Sequence, residues 1–258
     1  ARTTVKLPWE TVKMNTVAND DGWELYNTLE DFSLNNNLAE QFPERLEAMK
    51  ATFMEEAIAN QVLPLDDRLL ERLLPAVAGR PTILKGRTKL DLYPGAKGLD
   101  EDAVINMKNT SGQVTASVSV AEDQTADGII IAQGSRFGGW ALYVEDGHPT
   151  YTYNNLGDLV TVKSQEKLSA GDSEIRLEID YDGGGIGKGA DLRLVVNDAA
   201  VATGRLETTI ASRFSIDEGT DIGMDRGAPV IKRQLNDRRY SEINATVNKV
   251  TLEVYPEA

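Results

Sequence analysis

Beyond Arg80 the apolar residues of this chain fall on every second position, a period that admits few folds. Val114, Ala116, Val118 and Val120 alternate with Thr115, Ser117 and Ser119, as a strand with one buried face requires. Ile175, Leu177, Ile179 and Tyr181 repeat the pattern, as do Leu192, Leu194 and Val196, and then Val250, Leu252 and Val254. Between Leu142 and Tyr153, Asp146-Gly147 forms the centre of the run, and both positions tolerate the positive φ of a two-residue hairpin. About a dozen short strands, parted by Gly, Asp and Asn turns with no useful helix between them, predict an antiparallel β-sandwich over residues 81–258.

Residues 1–80 read differently, as a small α+β unit dominated by helix. Thr3 to Leu7 and Trp23 to Tyr26 suit short strands. Pro43 fits the first position of a helix, with Glu44 beside the positive end of its dipole. Leu46, Met49, Phe53 and Ala57 recur at helical spacing and give one apolar face through about Asn60. Pro64 ends that run. Asp66 can cap a second short helix, Arg68 to Leu74, whose Leu69, Leu70, Leu73 and Leu74 need a surface to pack on. Pro75, Gly79 and Pro81 punctuate a linker. An apolar face with too little chain to cover it implies another surface, a missing domain or a second copy in a homo-oligomer.

Composition removes several classes of chemistry. A net charge of −14 repels phosphate backbones, so no nucleic acid partner is expected. No apolar run approaches the ~20 residues of a membrane span, which leaves a soluble protein of cytoplasm or periplasm, the compartment open. The chain has no cysteine, hence no thiol nucleophile, disulfide or thiolate zinc site. A start of Ala1-Arg2-Thr3 without Met suggests a processed, cut or excised product.

Five groups of residues are candidates for a site. His148, the single histidine, is either a general base or metal ligand, or a turn residue beside the hairpin, which we favour because no partner cluster surrounds it. Gly183 to Gly189 lacks the first Gly and the Ser or Thr of a phosphate-binding loop, and reads as a mobile hairpin connection. Asp217, Glu218, Asp221 and Asp225 could give oxygen ligands to calcium, though acidic strand ends are ordinary in so negative a chain. Arg226, Lys232, Arg233, Arg238 and Arg239 form a basic segment that could hold an anionic group, or simply balance nearby carboxylates. Trp140, Tyr151 and Tyr153 could stack on a sugar, but alternate strand positions point to core packing.

The order of several motifs carries a resemblance. Trp23-Glu24-Leu25-Tyr26-Asn27, the turn Glu30-Asp31-Phe32-Ser33, Asn37-Leu38-Ala39 and the proline-started helix follow one another as in the closing segment of bacterial arylsulfatase-type sulfatases. Leu34 stands where that family usually has Glu. Gly128 to Val144, Leu192 to Arg205, and Asp221 to Val230 (D-I-G-M-D-R-G-A-P-V) are similar to an appended C-terminal domain of one subgroup. That domain resembles laminin-G-like and concanavalin-A-like sandwiches. The resemblance implies residues 1–80 as the C-terminal subdomain of a catalytic domain and 81–258 as an accessory jelly-roll or concanavalin-A-like sandwich. It also implies that formylglycine and calcium belong to a missing N-terminal sulfatase domain, this chain's partner. The family's C/S-x-P-x-R motif is absent. Lys6 and Lys13 read as solvated charges, so no catalytic, cofactor-binding or metal residue is assigned and the chain alone is expected to be inactive. A rival reading is a free-standing carbohydrate-binding or adhesive sandwich, with sugar binding lost on changing Trp140 or Tyr151. A glycosidase using paired carboxylates ranks last, having no distinguishing motif.

Overall fold

The computed structural model describes residues 2–3, 22–63, 81–231 and 241–256. The chain divides into two compact units, Ala1–Arg72 and Leu73–Ala258.

In the first unit, β1 (Arg2–Thr3) pairs antiparallel with β2 (Trp23–Glu24). The resemblance motif then folds through its own polar side chains. Asn37 Oδ1 accepts from the Leu25 and Ala39 amides, both at 3.0 Å. Asp31 accepts from the amides of Asn35 at 3.0 Å and Asn36 at 2.7 Å, and these bonds hold its carboxyl below the usual range. Leu34 takes φ 55°, a conformation costly for a side chain with a Cβ. α1 (Pro43–Ala59) starts at its proline and ends where Asn60 Nδ2 donates to the Glu56 carbonyl at 2.9 Å. Ala57 is buried, and Phe53 meets Trp23 edge to face at 5.6 Å. The expected helix at Arg68 to Leu74 lies outside the described residues, as do Thr4 to Leu7, Lys6, Lys13, Pro75 and Gly79.

The second unit is the antiparallel sandwich. One sheet has six strands in the order β11 (Ala199–Leu206), β10 (Ala190–Val196), β9 (Gly171–Tyr181), β4 (Ser111–Val120), β13 (Thr246–Tyr255) and β3 (Lys89–Leu92). The other has five: β12 (Thr220–Ile222), β5 (Gly128–Ser135), β6 (Gly138–Glu145), β7 (His148–Asn155) and β8 (Asp158–Lys163). Each alternation read in the sequence lies on one of these strands with its apolar side inward: Val114, Ala116, Val118, Ile175, Leu177, Leu194, Val250 and Leu252 are fully buried. The β6–β7 hairpin turns at Asp146-Gly147 with φ of 51° and 87°, the left-handed pair that matches the twist of the flanking strands.

The two outer faces differ. Every residue of β5 and β6 is buried, because Ile129, Ala132, Ala141 and Tyr143 pack beneath Val230 and Ile231 in a second apolar cluster. The outer face of the six-stranded sheet is open, with polar side chains alternating outward from β4, β9 and β10.

Candidate functional site

A groove of about 930 Å³ crosses the open face, lined by side chains of β4, β9, β10, β11 and β13. Strand register sorts them into two rows running across the strands. In the first, Tyr255 lies opposite Ser111, Asp180 opposite Asp191, and Asp191 opposite Arg205, with Ser111 Oγ donating to Asp180 at 3.5 Å. In the second, Gln113 pairs with Glu178, Glu178 with Arg193, and Arg193 with Thr203, while Glu253 lies opposite Gln113 beyond the groove's edge. Five strands at about 4.8 Å give a row roughly 19 Å long.

Charges in the groove are mostly satisfied by one another. Arg193 Nε donates to Glu178 Oε2 at 2.6 Å, and Arg176 Nε to Glu178 Oε1 at 3.0 Å. Burial opposes the Glu178 charge, yet the bonds from Arg176 and Arg193 keep its carboxyl below the usual range. Arg205 forks onto Asp182 at 2.7 and 2.6 Å and reaches Asp191 at 3.4 Å. One pairing runs the other way: Asp180 and Asp191 are like charges directly opposite, an arrangement that costs a sheet stability. At one end Tyr255 keeps 48% of its surface exposed, an aromatic face presented to solvent.

The aromatic residues singled out in the sequence lie elsewhere. Trp140, Tyr151 and Tyr153 are 2%, 1% and 5% exposed. Trp140 Nε1 donates to Gln133 Oε1 at 3.0 Å, its ring lies 6.2 Å from that of Tyr151, and the Tyr153 hydroxyl accepts from the Ile210 amide at 2.8 Å. Burial pushes the Tyr153 phenol up to about 12. These rings are core, and the sugar-stacking role considered for them is corrected.

His148 is the half-buried first residue of β7, opposite Glu145, rather than a turn residue. Its Nδ1 lies 3.1 Å from the Ser164 carbonyl, which can only accept, so Nδ1 carries the proton. The glycine loop joins β9 to β10 but is held rather than loose. The Tyr181 hydroxyl donates to the Gly185 carbonyl at 2.7 Å and accepts from the Lys188 amide at 2.8 Å, while Asn109 Oδ1 accepts from Gly187 N at 2.8 Å.

The acidic residues serve backbone amides. Asp221 accepts from Gly98 N at 2.6 Å and Arg226 N at 3.0 Å, Glu218 from Ala228 N at 2.9 Å, and Asp225 from Val230 N at 2.8 Å. Among the described residues no three His, Asp or Glu side chains converge so as to hold a metal ion. Arg226 is paired with Asp221 at 3.1 Å, and Lys232, Arg233, Arg238 and Arg239 lie outside the described residues. Among the described residues no helix is long and apolar enough to cross a membrane.

Sequence reasoning missed the groove. Its residues are the polar members of the same alternating strands, but only the register across five strands brings them onto one surface.

No protein-family model matches the chain, and no curated protein does. Solved structures similar to it include a Ruminococcus gnavus intramolecular trans-sialidase module of the CBM40 type, at 12% identity and TM-score 0.44, covering 65% of this chain and 94% of that one. Domains LG4-5 of the mouse laminin α1 chain match at 15% identity and TM-score 0.38, over 64% of this chain and 39% of theirs. The binding domain of botulinum neurotoxin serotype D matches at 10% identity and TM-score 0.41, over 66% and 40%. Likenesses of this degree decide nothing about function, and the sandwich rests on its own strand order and register.

Proposed function

We propose that the sandwich is a carbohydrate-binding module that takes an extended, uncharged glycan across the outer face of its six-stranded sheet. The observation that carries this reading is the pair of polar rows spanning five strands, with Tyr255 exposed at one end and the opposed carboxylates of Asp180 and Asp191 in the middle. Opposed carboxylates are strong acceptors for neighbouring hydroxyls, and an aromatic face suits the apolar side of a sugar ring. The groove holds three carboxylates and two guanidiniums, and both guanidiniums are already bonded. An anionic sugar would have to break those pairs, whereas a neutral one would not. Titration calorimetry with neutral oligosaccharides tests the reading. Binding should weaken at least about tenfold in Tyr255→Ala and in Asp191→Ala, with unfolding midpoints little changed. Affinity untouched by both substitutions would rule the groove out.

A second reading concerns the first unit and a larger parent protein. The Trp23 to Asn37 motif is built around Asp31 and Asn37 as local organisers. The helix after it leaves Met49, Met54 and Ile58 exposed at 41%, 42% and 66%. Both features support the reading of this chain as the non-catalytic C-terminal part of an arylsulfatase-type enzyme, with formylglycine and calcium on a separate catalytic domain. In that setting the chain contributes packing and the rim of the cleft, and the purified chain should not turn over an aryl sulfate. Measured turnover would contradict it.

A further inference from the structure

The acidic motif that the sequence set aside as a calcium site has another consequence. From Gly223 to Ile231 the chain leaves β12 and lies over the outer face of the five-stranded sheet as a strap. The Gly223 amide donates to the Ile130 carbonyl at 2.8 Å, Arg136 N to the Ala228 carbonyl at 3.2 Å, and Asn154 Nδ2 to the Val230 carbonyl at 2.9 Å. Val230 and Ile231, 1% and 6% exposed, close over Ile129, Ala132, Ala141 and Tyr143.

Three carboxylates fasten this strap, one every few residues. Asp221 takes the Arg226 amide, Glu218 the Ala228 amide, and Asp225 the Val230 amide. Gly227 sits so close to the Glu218 carboxylate that a Cβ there would overlap it. Two of the three have compensation, since Asp221 holds the Arg226 guanidinium and Glu218 lies at the partly exposed edge. Asp225 is 4% exposed, and among the described residues it is bonded by a neutral amide alone. Among the described residues, the charged groups acting on it are Asp221 of β12 and Glu218 of the connection before β12, both negative. Arg226 is turned to Asp221, and Arg136 of the β5–β6 turn lies over the Phe137 ring at 4.8 Å.

We propose that the strap is a pH-responsive cover: ionisation of Asp225 loosens the segment from Gly223 to Ile231 and bares the apolar patch of Ile129, Ala132, Ala141 and Tyr143. A neutral carboxyl can sit beside two carboxylates and still accept from Val230. An ionised one adds a third buried negative charge, and among the described residues no cation meets it. Burial first, then Asp221 and Glu218, hold the Asp225 carboxyl up at about 7 against the pull of the Val230 amide, so the loosening is complete near neutrality.

Hydrogen exchange on the full chain, corrected for the intrinsic pH dependence of exchange, tests this. Protection of the Val230 amide should fall by up to about tenfold for each pH unit from about 4 to 7 and level off above. In Asp225→Asn, neutral at every pH and still able to accept from Val230, protection should not change with pH. Glu218→Gln removes one repelling charge and should move the levelling-off to lower pH. Constant protection in the wild-type chain, an unaltered fall in Asp225→Asn, or an unmoved levelling-off in Glu218→Gln would each overturn the proposal.

Discussion

Lys108 and Glu101 are both nearly buried, at 7% and 6% exposure, and form an ion pair inside the sandwich. The lysine lies 4.7 Å over the Phe214 ring, and the second oxygen of Glu101 accepts from the Phe214 amide at 2.9 Å. Burial pushes the Lys108 ammonium down, with Glu101 pulling it back. Removing one partner strands the other, so Glu101→Gln should cost roughly 3–5 kcal/mol in urea unfolding. Asp225 makes an opposite sort of contribution. Its carboxyl sits near 7 in the folded chain against 3.8 for the free group, so between those values the folded state binds a proton that the unfolded state has released. Stability should therefore fall as pH rises from about 4 to 7, by on the order of 4 kcal/mol, and level off above. Asp225→Asn should flatten that slope in unfolding measured across the same window, and an unchanged slope would remove Asp225 as its source. Trp140 shows what residue type alone leaves open. An aromatic on a strand suits either a sugar platform or a core, and the choice was set by the Gln133 amide waiting for its indole N–H.

Secondary-structure elements were easier to read than single side chains, since a repeating pattern averages over many positions. The alternations of β4, β9, β10 and β13 gave both the strands and their buried sides, and the hairpin at Asp146-Gly147 followed from two residues that accept positive φ. The proline start placed the beginning of α1, but of the apolar face read at helical spacing only Ala57 is buried, with Met49 and Phe53 exposed. Pairing was hidden: β4 lies between β9 and β13, which begin 60 and 135 residues after it, and nothing local encodes such a partnership. The groove, which exists only through that pairing, was hidden with it. Within the first unit the motif residues act locally and can be tested locally. Asn37→Ala removes the acceptor of two amides and should destabilise the segment by about 1–3 kcal/mol. Leu34→Gly, which relieves a left-handed leucine, should stabilise it by about 1 kcal/mol. Thermal unfolding of each variant checks both signs.

Taken whole, the sandwich has one face closed by its own strap and one left open, and the open face carries the polar rows. A net charge of −14 carries the expectation that nucleic acid is not a partner, and the ion pairs in the groove extend that expectation to anionic sugars. Two opposed aspartates retained in the middle of a sheet are poor design for stability alone, and they gain a purpose if hydroxyl groups lie across them. The most direct test is a map of amide chemical shifts during titration with a neutral oligosaccharide. Saturable shifts confined to the facing stretches of β4, β9, β10, β11 and β13, centred on Asp180, Asp191 and Tyr255, are the predicted result. Shifts gathered on the loops or on the five-stranded sheet, or none with any neutral glycan, would contradict it.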